Sequence, residues 1–125
     1  MSLSDRVTII IPTYNRAQLV SAAIWSVLNQ DYAHQDVVVV DDGSTDATQD
    51  VLAGFAGKPR VRLVTRSENG GVTAEKNTGL DSLEPGVRYF GILDSDVVLE
   101  PGAIRSLLTR FETSPLPLSQ VFGWC

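Results

Sequence analysis

Apolar residues along this chain fall into blocks with two different periods. Four short runs, at residues 7–11, 37–40, 61–64 and 89–93, are rich in β-branched or aromatic residues and predict β-strands. Three of them are almost continuously apolar, which indicates strands covered on both faces. The run at 61–64 (VRLV) alternates with polar residues and is therefore predicted to be an edge strand.

Between these runs, apolar residues recur at intervals of three and four, as on one face of a helix. The three clearest stripes are Val20, Ala23, Ile24, Val27 and Leu28; Ala47 or Thr48 with Val51, Leu52 and Phe55; and Ile104, Leu107, Leu108 and Phe111. Strands that alternate with helices predict an α/β fold, with a mostly parallel, Rossmann-like sheet and helices on both faces.

The length of 125 residues fits a single domain over residues 1–125. The net charge of −5, with no basic run, argues against nucleic acid as a partner. The single cysteine, Cys125, allows no internal disulfide, and neither a transmembrane stretch nor a secretory signal is recognisable, so we expect a cytoplasmic location. A further strand begins at residues 121–124 and the sequence then stops, which indicates a truncated domain whose exposed sheet edge could form a homo-oligomer.

Two aspartates, Asp94 and Asp96, follow the last of the four predicted strands. In extended backbone both side chains would lean to the same face, and carboxylates about 4 Å apart repel by roughly 4 kcal/mol at an effective dielectric of about 20. A divalent cation such as Mg²⁺ or Mn²⁺ would remove that repulsion, because it prefers oxygen ligands. The alternative is that one aspartate caps a turn or helix and the other is solvated.

Three further residues are candidates at the same edge of the sheet. Asp41 and Asp42 follow the second predicted strand and either begin a turn into the next helix or accept hydrogen bonds from a nucleoside. Lys76 falls in a helical stripe with Val72, Leu80 and Leu83, so we expect it on the inward face. There it either extends to the surface or points at an acid or a ligand phosphate.

Taken together, these motifs resemble the nucleotide-sugar-binding N-terminal half of family 2 glycosyltransferases, which have the GT-A fold. The resemblance covers almost the whole chain, and PTYNR followed by VVDDGSTD is its most specific part. The matching segments are VTIIIPTYNR (7–16), QDY (30–32), VVVVDDGSTDAT (37–48), ENGGVTAEKNTGL (68–80) and FGILDSDVVLEPGAI (90–104).

The resemblance implies a metal-dependent, inverting transfer of a sugar from a UDP- or GDP-sugar to an unidentified acceptor. It assigns Asp94 and Asp96 to the metal, Asp94 also to the sugar or ribose, and a divalent cation (Mn²⁺ or Mg²⁺) as cofactor. The other residues that it assigns to nucleotide-sugar binding are Pro12, Thr13, Tyr14, Asp41, Asp42 and Lys76. The family's catalytic base would lie downstream of Cys125, in an acceptor-binding half that this sequence lacks.

Two other readings stay open. The chain could bind the sugar donor without turnover, or it could be a receiver-like phosphoacceptor module, which has a similar length and strand–helix alternation. A receiver domain would carry acids after its first strand, where this chain has Pro12-Thr13-Tyr14. A dinucleotide-binding oxidoreductase is excluded, because no G-x-G-x-x-G follows the first strand.

Overall fold

The computed structural model describes residues 6–113 of the protein, and side chains through residue 110. Strands and helices alternate along this segment, as the hydrophobic pattern predicts. Their bounds are β1 (Arg6–Thr13), α1 (Val20–Leu28), β2 (Gln35–Asp41), α2 (Thr48–Ala53), β3 (Val61–Thr65), α3 (Gly71–Asp81), β4 (Val87–Ile92) and α4 (Ala103–Thr113).

The described strands form one parallel sheet in the order β3-β2-β1-β4, with helices on both faces. Side chains from α1, α2 and α4 pack with one face of β1 and β2 in the larger apolar cluster. On the opposite face, Leu80 of α3 packs against Ile10, Val38 and Val40. Over residues 6–113, the predicted α/β class, the mostly parallel sheet and the edge position of the strand at 61–64 are therefore confirmed.

The expectation that the run at 89–93 is covered on both faces is wrong for the described residues. Side chains along β4 alternate between covered and exposed, and Phe90 is 44% exposed. The reason is its edge position, because α3 packs over β1 and β2 and leaves the same face of β4 largely uncovered among the described residues. A continuous apolar run therefore did not distinguish an edge strand from a central one here.

The inward face of α3 also differs from the prediction. Glu75 and Gly79 are buried, whereas Val72 is 58% exposed and Lys76 is only half-buried. The cause is close packing on β1, since a Cβ atom at Gly79 would overlap the Ile10 side chain. The helix approaches the sheet through its glycine, so Glu75 and Gly79 occupy the most buried positions, while Leu80 and Leu83 of the predicted stripe pack half-buried beside them.

Two predictions fall outside what the structure describes: the inward position of the Phe111 side chain, since side chains are described only through residue 110, and the strand at residues 121–124. Within residues 6–113, no helix has both the length and the apolar character needed to cross a bilayer.

Candidate functional site

A cavity of about 420 Å³ opens at the carboxyl edge of the sheet, where parallel α/β sheets bind their ligands. Its walls come from the end of β1 and the loops after β1, β3 and β4, together with the start of α3. The lining residues are Pro12, Tyr14, Arg16, Asn69, Gly71, Val72, Glu75, Asp94, Ser95 and Asp96. Of the residues that the sequence predicts for the site, Pro12, Tyr14, Asp94 and Asp96 line this cavity, and Thr13, Asp41, Asp42 and Lys76 do not.

The β1 wall of the cavity is held in place by the loop that follows β2. Pro12 lies inside β1 although proline has no N–H to donate. This costs no hydrogen bond of the sheet, because the pairing of β1 with β4 has already ended at Ile10. Asn15 then has a left-handed backbone (φ 51°), and its side-chain oxygen accepts a hydrogen bond of 2.8 Å from the Thr45 N–H. Tyr14, between these two anchored residues, therefore has a fixed backbone position.

Asp94 and Asp96 lie in a turn, not in the extended backbone that the sequence predicts. β4 ends at Ile92, and the Asp94 carbonyl accepts a hydrogen bond of 3.0 Å from the Val97 N–H. Both acids line the cavity even so, with Ser95 buried between them. The turn thus brings two carboxylates to one side of the cavity by a different backbone geometry.

The donor set at this turn fits a divalent cation that binds together with a phosphate group. Asp94 and Asp96 are hard oxygen ligands, and the described residues include no group of three or more His, Cys, Asp or Glu side chains placed to hold a metal. Mg²⁺ commonly binds through one or two carboxylates and completes its shell with substrate phosphates and water. Two protein carboxylates are therefore sufficient only if the ligand supplies the remaining oxygens.

Asp42 is buried beneath the cavity and anchors the start of α3. Its carboxylate accepts hydrogen bonds from the N–H groups of Gly70 (3.0 Å) and Gly71 (2.9 Å) and from Arg66 Nε (2.8 Å). Burial raises the pKa of Asp42, but these three donors outweigh it and hold the pKa below its usual value. The carboxylate supplies the hydrogen bonds that a side-chain cap would otherwise provide at this helix end.

Asp41 is also fully buried and organises the turn after β2. Its carboxylate accepts hydrogen bonds from the Ser44 hydroxyl, from the Ser44 N–H (3.3 Å) and from Gln49 Nε2 (3.0 Å), around Gly43 with φ 75°. Thr13 is buried at the end of β1, and its hydroxyl has no hydrogen-bond partner among the described residues. Both residues are buried at the carboxyl ends of their strands and do not line the cavity.

Glu75 is one of six cavity residues that the sequence analysis did not assign to the site; the others are Arg16, Asn69, Gly71, Val72 and Ser95. Glu75 is 4% exposed, lines the cavity, and lies within hydrogen-bonding reach of the Asp42 carboxylate. Burial, followed by the negative charges of Asp42 and Asp41, raises the pKa of Glu75 to about 7. The available signal was its i, i+4 spacing to Gly79, because a glycine in a helix often marks a face that packs closely.

The basic residue next to these acids is Arg66, which the sequence analysis also missed. Its Nε donates to Asp42 and its Nη1 donates to the Thr78 hydroxyl at 2.7 Å, joining the end of β3 to α3. Lys76 is half-buried, and its expected inward position is wrong because Glu75 and Gly79 occupy that face. The guanidinium of Arg66 therefore compensates the buried carboxylate that Lys76 was a candidate to pair with.

A parallel sheet of this order, with a cavity at its carboxyl edge and an acidic turn after β4, agrees with a GT-A domain. Residues 8–121 match the sequence profile of Glycosyl transferase family 2. The chain belongs to that family, as the resemblance in its motifs indicates.

Individual relatives agree with this assignment. Chondroitin synthase of Pasteurella multocida (strain Pm70) is 40% identical over 106 residues, which is 84% of this chain and 11% of the synthase. The crystal structure of S. aureus TarS 1-349 in complex with UDP-GlcNAc has a TM-score of 0.77 and 25% identity, over 86% of this chain and 31% of that one. The mannosyltransferase PcManGT from Pyrobaculum calidifontis, in complex with GDP-Man and Mn²⁺, has a TM-score of 0.72 and 30% identity, over 88% and 33%.

The chain spans only a minor part of the curated relatives that it matches, from 11% to 36% of their length. The similarity thus concerns the domain described above and not the remainder of those proteins.

Proposed function

We propose that residues 1–125 form the nucleotide-sugar-binding domain of a glycosyltransferase that uses a UDP- or GDP-sugar. The observation that carries this proposal is the arrangement of one cavity, in which Pro12 and Tyr14 stand beside the paired acids Asp94 and Asp96. The complexes of TarS with UDP-GlcNAc and of PcManGT with GDP-Man and Mn²⁺ support it, because both proteins share this fold.

In this proposal the two ends of the cavity bind different parts of the donor. Pro12 and Tyr14 offer flat, partly apolar surface against which a nucleobase packs. Asp94 and Asp96 hold a divalent cation together with the diphosphate. Without a cation these carboxylates would repel the diphosphate strongly, since like charges interact at short range in a partly buried site. Donor binding therefore requires the cation.

The proposed reaction replaces the bond between the sugar and the diphosphate with a bond to an acceptor. The acceptor hydroxyl attacks the anomeric carbon from the face opposite the diphosphate, so that the configuration inverts, and a general base takes the hydroxyl proton. The bound cation supplies Lewis-acid neutralisation of charge on the leaving nucleoside diphosphate. Asp94 and Asp96 orient that leaving group, and we place the base beyond Cys125.

Isothermal titration of the protein with UDP and with GDP, each with and without Mn²⁺, tests this proposal. We expect at least one nucleotide to bind only when Mn²⁺ is present, and its affinity to fall at least about tenfold in Asp96→Ala, by the loss of one charge-assisted ligand interaction.

Asp81→Ala is the matched control, because Asp81 is an exposed acid at the end of α3, outside the cavity. Both variants remove one negative charge, so a general electrostatic effect on an anionic ligand would appear in both. Nucleotide binding that does not depend on Mn²⁺ and is unchanged by Asp96→Ala contradicts the proposal. The proposal is also contradicted if neither UDP nor GDP binds.

A further inference from the structure

Glu75 is a buried acid that faces both the cavity and a second buried acid. Its side chain lines the cavity while only 4% of the residue is exposed. The second acid is Asp42, which is fully buried and within hydrogen-bonding reach of Glu75. Acidic side chains are almost never fully buried unless they are paired, so this pair needs a specific hydrogen-bonding arrangement.

The donors around Asp42 determine that arrangement. A carboxylate has about four lone-pair sites, and three N–H donors, from Gly70, Gly71 and Arg66, contact this one. All three are donors that favour an ionised acceptor. Asp42 therefore stays ionised, and burial beside its negative charge favours a proton on Glu75. A protonated Glu75 can donate its O–H to Asp42, which leaves its carbonyl oxygen as a hydrogen-bond acceptor.

The strand order indicates which part of a ligand lies near the carboxyl group of Glu75. In the order β3-β2-β1-β4, the Asp94–Asp96 turn follows the strand on one side of β1, whereas Asp42 follows the strand on the other side. Glu75 lies one turn after Gly71, whose N–H is bonded to Asp42, and we therefore place it on the β2 side of the cavity, away from the paired aspartates. A donor whose diphosphate lies at Asp94 and Asp96 places its nucleoside toward Glu75.

We propose that Glu75 is a specificity residue that accepts a hydrogen bond from a ring N–H of the donor's nucleobase while Asp42 holds its carboxyl group in position. The ligand class is a nucleobase with a ring N–H, namely uracil (N3–H) or guanine (N1–H). This inference rests on the proposed function, since it assumes that the cavity binds a nucleoside diphosphate.

The charges around Glu75 favour a neutral N–H group over an anionic one at this end of the cavity. Asp42 and Asp41 face it from the end of β2, and Arg66, from the end of β3, is bound to Asp42. The charged residues on the remaining walls of the same cavity are Arg16 after β1 and Asp94 and Asp96 after β4, and Lys76 neighbours Glu75 on α3. Because the acids nearest to Glu75 leave no net positive charge there, a phosphate is disfavoured and a polar, uncharged base edge fits.

The test compares each nucleotide with a derivative whose ring nitrogen is methylated. In the unmodified protein, with Mn²⁺ present, we expect N3-methyl-UDP to bind about tenfold more weakly than UDP, or N1-methyl-GDP than GDP, from the loss of one hydrogen bond. The ratio of the two affinities is measured within one protein, so a general loss of affinity in a variant cancels.

Two substitutions distinguish hydrogen bonding from packing. In Glu75→Gln the amide N–H₂ replaces the O–H donor to Asp42 and the amide oxygen faces the cavity, so the ratio should be kept. In Glu75→Met the volume is kept but the acceptor is removed, so the ratio should fall to about one, because methylation then breaks no hydrogen bond.

A ratio of about one in the unmodified protein, or a ratio in Glu75→Met equal to that of the unmodified protein, would overturn the role of Glu75. The proposed function would stand in either case if binding still required Mn²⁺ and was weakened by Asp96→Ala. The absence of binding by both UDP and GDP would instead overturn the proposed function, and this inference with it.

Discussion

The carboxylate of Asp42 accepts a hydrogen bond of 2.9 Å from the N–H of Gly71 and thereby joins the end of β2 to the first residue of α3. The same carboxylate binds Gly70 and Arg66, so one buried side chain connects three separate segments of the chain. Since Gly71 and Glu75 both line the cavity, this anchor positions one of its walls. The stability of the domain and the shape of its candidate site are therefore coupled at Asp42.

The first prediction concerns this anchor. Asp42→Asn should lower the free energy of unfolding by about 2–4 kcal/mol, because the neutral amide cannot accept all three hydrogen bonds and leaves buried donors unsatisfied. Equilibrium unfolding in urea measures the change. Asp81→Asn, the same substitution at an exposed position of α3, should be close to neutral. Equal stability of the two variants would show that Asp42 is not an anchor.

The second prediction concerns the guanidinium group of Arg66, which donates a hydrogen bond to Asp42. Arg66 donates from Nε to Asp42 and from Nη1 to Thr78, and a single ammonium group cannot reproduce both contacts. Arg66→Lys should therefore lower the free energy of unfolding by about 1–2 kcal/mol although the charge is retained.

A double-mutant cycle with Thr78→Val measures the contact directly. We expect the effect of the valine substitution to be smaller in the Arg66→Lys background than in the unmodified protein. Purely additive effects would mean that the contact between Arg66 and Thr78 contributes nothing to stability.

The third prediction concerns the close approach of α3 to the sheet. Gly79→Ala should destabilise the domain by about 1–3 kcal/mol, because the added methyl group would overlap the Ile10 side chain, even though alanine is intrinsically the better helix former. Asn77→Ala, on the exposed face of the same helix, should be neutral or slightly stabilising. Ile10→Ala should make Gly79→Ala less harmful, since it removes the overlapping atoms. A Gly79→Ala variant as stable as Asn77→Ala contradicts this packing.

The elements of the fold could be predicted from the sequence because hydrophobic periodicity directly reflects which residues lie inside. The β-branched runs became strands, and Ile104 and Leu108 became the buried face of α4. The same signal failed for α3, where the buried residues are a glutamate and a glycine and the exposed Val72 belongs to the apolar stripe. Periodicity assumes that inward positions are apolar, and a helix that packs through Gly79 and carries a buried acid does not satisfy that assumption.

Residue spacing could predict the candidate site only where neighbouring residues form it, and Pro12 and Tyr14, which line the same cavity, were assigned through the family resemblance. Asp94 and Asp96 are brought to the cavity by one local turn, so their proximity follows from spacing. Asp42, Arg66 and Glu75 come together only through the packing of β2, β3 and α3. Whether an aspartate faces a ligand or the protein's own N–H groups depends on those distant segments, and for Asp42 it is the N–H groups of Gly70 and Gly71 that occupy it.

The last prediction follows from the proton that Glu75 holds. In the unfolded chain this carboxyl group titrates near 4.5, whereas burial and the charges of Asp42 and Asp41 raise its pKa to about 7 in the folded domain. Between these values the unfolded chain has lost the proton and the folded domain keeps it, so Glu75 lowers the stability of the fold as the pH rises.

Glu75→Gln does not titrate. Its free energy of unfolding relative to the unmodified protein should increase from about pH 4.5 to about pH 7 and then level off, with a total change of roughly 3 kcal/mol. Urea unfolding of both proteins across this pH range measures the difference. A difference that does not change with pH would mean that Glu75 is ionised beside Asp42, and the hydrogen bond between the two acids would not exist.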